Sequence, residues 1–73
     1  MGYHIGSLLK RARQEKGLSQ RALSRLVGLP QGHISKIESG AVDLQTSSLI
    51  ELARALDLEL MLVPRILRHT VTA

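Results

Sequence analysis

The stretch Ser19-Gln20-Arg21-Ala22-Leu23-Ser24-Arg25-Leu26-Val27-Gly28-Leu29-Pro30-Gln31-Gly32-His33-Ile34-Ser35-Lys36-Ile37-Glu38-Ser39-Gly40 carries the fold. Leu23, Leu26 and Val27 fall at helical spacing, and so do Ile34 and Ile37. Only a few residues separate the two sets. Ser19 predicts an N-cap, because its hydroxyl can accept an orphan N–H of the helix that follows. Gly28 permits the positive φ that a tight turn commonly requires, and Gly40 closes the second helix of the pair. Two helices joined by a short Gly-containing turn, the second one short and polar-faced, make a helix-turn-helix. Leu23, Val27, Leu29, Ile34 and Ile37 form the inside of its corner. Ser24 is small where the helices cross.

Upstream, Ile5, Leu8, Leu9 and Ala12 give an amphipathic first helix, stopped by Gly17 with Lys16 as a favourable last-turn cation. Downstream, Ala41–Gln45 reads as a loop anchored by Leu44. Thr46 or Ser47 is the expected cap of a further helix bearing Leu49, Leu52, Ala53 and Leu56. After Asp57 the period changes. Leu58, Leu60 and Leu62 alternate with Glu59, Met61 and Val63, which predicts a short strand ended by Pro64. The expected fold is therefore all-α: a compact bundle of four to five short helices with a helix-turn-helix, plus a C-terminal β-strand. Residues 1–57 form the helical domain, 58–64 the strand and 65–73 a weakly patterned tail.

A lone strand lacks partners for its N–H and C=O groups. The simplest partner is the same strand of a second copy, antiparallel across a two-fold axis. That assigns Leu58, Leu60, Met61, Leu62 and Val63 to a homodimer interface. The same run could instead prolong the core of one subunit.

Composition narrows the function. With 73 residues the core is marginal, so oligomerisation is a natural supplement. There is no cysteine, and His4, His33 and His69 lie far apart in the chain, so no metal site is expected. The net charge of +4 fits a polyanionic partner. One aromatic residue, Tyr3, argues against single-strand binding by base stacking. No apolar run approaches a membrane span and no secretory signal is visible, so a cytoplasmic protein is expected. No catalytic cluster, Gly-rich phosphate loop or nucleophile–base pair stands out, which predicts no enzyme and no cofactor.

The run Gly17-Leu18-Ser19-Gln20, then Leu23, Gly28 and Ile34-Ser35-Lys36-Ile37-Glu38-Ser39-Gly40 resembles the phage repressor/Cro type of helix-turn-helix, the Xre-like family. The resemblance covers roughly residues 5–57. Residues 56–65, Leu-Asp-Leu-Glu-Leu-Met-Leu-Val-Pro-Arg, are similar to the C-terminal strand of HipB-like antitoxins, which pairs between subunits. The resemblance implies that the second helix of the motif enters the major groove of double-stranded DNA. Gln31, Gly32 and Lys36 then fall where bases are read, with His33 and Ser35 on or near that face. Gln suits adenine and Lys suits guanine. Gln20 falls at a phosphate contact, and Arg21, Ser39 and the loop at Ala41 are further phosphate candidates. Arg13 and Glu38 occupy the places of an internal ion pair. Two residues depart from the pattern. Pro30 replaces the usual Ser or Thr cap, and Gly32 replaces a polar base-reading side chain.

The expectation is a homodimeric repressor that binds an inverted-repeat operator and serves as the autoregulating antitoxin of a HipA-like kinase toxin. A stand-alone repressor or a restriction–modification controller of the same fold is the alternative. A protein-interaction module without DNA binding is the second.

Overall fold

The computed structural model describes residues 4–67. The end of the tail, with His69, lies outside them. Four α-helices follow one another: α1 (Ile5–Glu15), α2 (Gln20–Val27), α3 (Gln31–Ser39) and α4 (Thr46–Ala55), with a single 3₁₀ turn at Arg65–Leu67. α3 packs against α1 and α2, and α2 also packs against α4. Leu9, Leu23, Ile34, Ile37, Leu52 and Leu56 form the buried centre.

Local chemistry sets most boundaries. Ser19 Oγ accepts the N–H of Ala22 at 3.0 Å and caps α2. α1 ends in a pair of reverse bonds, Leu18 N–H to Arg13 O and Gly17 N–H to Gln14 O, with Gly17 at φ +72°. Gly28 ends α2 at φ +73° and donates to Ser24 O. The Ser24 hydroxyl donates to the Leu29 carbonyl. Ser24 thus pins the turn between α2 and α3, a bonding role beyond its small size.

Several expectations need correction. α4 begins at Thr46 with Gln45 in the cap position, and no side chain caps it. Neither Thr46 nor Ser47 does that work. Leu26 shares its helical spacing with the buried Leu23 but is 62% exposed, and Ile5 and Leu8 are 45% and 46% exposed. An amphipathic stripe marks the apolar face of a helix, but only its centre meets the core here. Residues 58–64 form no strand in the single chain. A strand needs a ladder, and among the described residues no second strand exists to supply one. Leu58 packs partly against the core, whereas Leu60, Met61 and Leu62 are exposed.

Candidate nucleic-acid interface

α3 has two unlike sides. Ile34, Ile37 and Glu38 are buried. Gln31, Gly32, Ser35, Lys36 and Ser39 are exposed, and at ~100° per residue they occupy one arc of about 140°. His33 is half-buried at the edge of that arc. The arc carries no acidic residue, and Lys36 has no carboxylate within salt-bridge reach among the described residues. A helix of this width with a polar, positively charged outer face suits the major groove.

The buried side of α3 is fastened by charge. Arg13 Nε donates to Glu38 Oε2 at 2.7 Å, and Arg13 Nη2 donates to Glu38 Oε1 at 3.1 Å. This is a two-pronged guanidinium–carboxylate pair, with Arg13 8% and Glu38 5% exposed. Arg13 Nη1 donates to Leu18 O at 2.8 Å. Gln20 Nε2 donates to Glu38 Oε1 at 3.0 Å. One carboxylate on α3 therefore ties down α1 and the first residue of α2. No buried side-chain polar atom among the described residues lacks a partner, so the burial of these charges is compensated.

The expected phosphate contacts lie in different settings. Arg21 is exposed, with no carboxylate partner among the described residues. Gln20 is half-buried, and one of its amide hydrogens is committed to Glu38. Ser39 Oγ donates to Lys36 O at 3.1 Å, which leaves its lone pairs but not its proton. The Ala41 N–H donates to Lys36 O at 2.9 Å, so a phosphate there would have to share that bond. Pro30 holds the cap position of α3 at φ −59°, with no side-chain cap.

Sequence reasoning passed over Gly6. A Cβ on Gly6 would lie 2.0 Å from the Ile37 carbonyl oxygen. The start of α1 therefore lies directly on the backbone of α3, and only glycine fits. A glycine inside a helical pattern was the available signal.

Among the described residues no helix is long and apolar enough to cross a membrane, and no group of three or more His, Cys, Asp or Glu residues is placed to hold a metal ion.

Comparison with known proteins fits this geometry. The family model described as helix-turn-helix matches residues 9–62. The uncharacterized HTH-type transcriptional regulator y4dL of Sinorhizobium fredii is 48% identical over 62 residues, covering 85% of this chain. The chain spans 32% of that relative's length. Among solved structures, the restriction-modification controller protein C.AhdI from Aeromonas hydrophila is 37% identical with a TM-score of 0.71, covering 74% of this chain and 82% of that one. SinR, the master regulator for biofilm formation solved in complex with DNA, is 28% identical with a TM-score of 0.73, covering 77% and 90%. A HipA-HipB-O2-O3 complex gives a TM-score of 0.75 at 22% identity, covering 89% of this chain and 96% of that one, a likeness of fold alone. The match over residues 9–62, together with the α2–α3 corner and its polar outer arc, makes this chain a member of the Xre-like helix-turn-helix family.

Proposed function

We propose that the chain is a sequence-specific repressor that binds an inverted-repeat operator in double-stranded DNA as a homodimer. The observation that carries this reading is the exposed arc Gln31–Gly32–Ser35–Lys36 on a helix whose other side is locked by Arg13, Glu38 and Gln20. A rigid helix holds base-reading side chains in one register, which specificity requires. In this reading Gln31 and Lys36 meet base edges, with His33 and Ser35 beside them. Arg21, Gln20 and Ser39 meet the phosphates.

The second copy is supported by the apolar surface the single chain leaves open. Ile5, Leu8, Ile50, Leu60 and Met61 are 41–64% exposed, and Leu62 is fully so. Ile5, Leu8, Leu58, Leu60 and Met61 line one cleft of about 230 Å³. Residues 59–63 make no backbone hydrogen bond within the described chain. Free backbone groups beside exposed apolar side chains suit pairing with the same segment of a partner copy.

Within this reading the apolar segment 58–64 favours the autoregulating antitoxin of a HipBA-like module, with a HipA-like kinase as second partner. The similarity to C.AhdI favours a restriction–modification controller instead. A binding-site selection with random duplexes tests the common core. An enriched inverted repeat is the expected result, and retention without enrichment would overturn it. A defined complex with a kinase encoded by the adjacent gene separates antitoxin from controller.

A further inference from the structure

Three of the four α-helices leave their last turn through a glycine, Gly17, Gly28 and Gly40, at φ of +72°, +73° and +80°. α4 leaves through Asp57 instead, the one non-glycine residue with positive φ among the described residues, at +57°. The Asp57 N–H donates to Arg54 O at 3.3 Å and the Leu58 N–H to Ala53 O at 2.8 Å, so the end is built as a glycine would build it. Aspartate is the poorer choice on two counts. A side chain in the left-handed region is crowded by its own backbone. A carboxylate at a helix C-terminus also meets the like-signed end of the dipole. What the carboxylate gains is Lys16, at the end of α1 and 41 residues away, whose Nζ lies 2.6 Å from Asp57 Oδ2.

Such a pair does little for the stability of the chain alone. Its side chains are 38% and 78% exposed, and exposed ion pairs are weak because water and salt screen them. Its place is what matters. The chain leaves the helical bundle at Asp57, and residues 59–63 of the apolar run that follows make no backbone hydrogen bond within the described chain. Two polar ties hold the base of that run: the Leu58 N–H on α4 and the Asp57 carboxylate on α1. Leu58, Leu60 and Met61 line a cleft together with Ile5 and Leu8 of α1, so the angle between the run and α1 decides how that apolar surface is presented. We infer that Lys16 and Asp57 are positioning residues for assembly. Their pair fixes the direction in which the run 58–63 leaves the bundle, and with it the way Leu60, Met61 and Leu62 meet a second copy. The inference rests on the homodimer reading above.

The test is sedimentation of the full chain without DNA, over a range of protein and NaCl concentrations. Asp57→Asn keeps the size of the side chain and its tolerance of positive φ but removes the charge. At low salt its dimer dissociation constant should be about two- to fivefold higher than the parent's, and the gap should close as salt rises. Lys16→Arg, which keeps the pair, should dimerise as the parent does. Asp57→Gly should weaken the dimer as Asp57→Asn does, yet melt no lower than the parent in dilute solution, where both are monomers. The inference is overturned if Asp57→Asn dimerises as the parent does or Lys16→Arg does not. It is also overturned if the gap persists at high salt, or if Asp57→Gly melts lower as a monomer, the mark of a tie that serves only stability. A parent that stays monomeric defeats the homodimer reading itself. A dimeric parent with indifferent variants defeats only the positioning role.

Discussion

The amide nitrogen of Gln20 lies 3.0 Å from the Glu38 carboxylate, which also receives both prongs of the Arg13 guanidinium. A residue expected at the phosphates thus also belongs to the internal fastening of α3. Gln20→Ala should cost stability as well as DNA affinity. A hydrogen bond to a charged group is worth roughly 1.5–3 kcal/mol, so urea denaturation should show a loss near the lower end for this half-buried site. The preferred operator sequence should stay unchanged, because phosphates carry no direct sequence information. A shifted sequence preference would show that Gln20 reads bases or tilts α3.

Removing one member of the Arg13–Glu38 pair leaves a buried charge without its partner. Glu38→Ala or Arg13→Ala should cost about 3–5 kcal/mol, a large share of the ~5–15 kcal/mol that holds a domain folded. The double change Arg13→Met with Glu38→Leu should recover much of that loss, since neither charge remains. Denaturant midpoints of the single and double variants check this. Additive losses would mean that the pair is not coupled.

Gly6→Ala forces a methyl group against the Ile37 carbonyl, where the built Cβ lies at 2.0 Å. Overpacking of this kind typically costs 1–3 kcal/mol and sometimes more, and here the obstacle is backbone, which cannot turn aside. A lowered thermal midpoint is expected, together with weaker DNA binding as α1 pushes on the end of α3. An unchanged midpoint would show that α1 does not lie so close.

Leu60→Pro should abolish the dimer while leaving the monomer fold intact. Leu60 is 50% exposed and lies outside every helix, so the change removes an N–H that only a partner strand would use. Sedimentation at matched concentrations should move from dimer to monomer with the helical circular dichroism retained. A variant that remains dimeric would place the interface elsewhere.

Operator binding should fall with salt, because in the proposed complex cationic side chains such as Arg21 displace counterions from phosphates. Half-sites should lie about 34 Å apart, one helical turn. Inserting half a turn between them should weaken binding sharply, while Gln31→Ala and Lys36→Ala should each relax the preference at a base pair. Indifference to spacing would exclude symmetric docking.

The sequence alone was enough for most of what depends on near neighbours, though not for the start of α4, which neither Thr46 nor Ser47 caps. Helical periodicity located all four helices, Ser19 announced its cap, and Gly17, Gly28 and Gly40 announced the turns, because capping and positive φ are decided within a few residues. The two sides of α3 were legible for the same reason. The tertiary structure decided what depends on residues far apart in the chain. Whether Leu26 or Leu23 reaches the core depends on where α4 lies, and Gly6 matters only because α3 crosses it. Gln20 turns toward Glu38 because the fold brings a buried carboxylate within its reach. The alternating run 58–63 shows the limit from the other side. Its pattern describes a strand, but a strand is a relation between two segments, and the described residues of one chain hold only one of them.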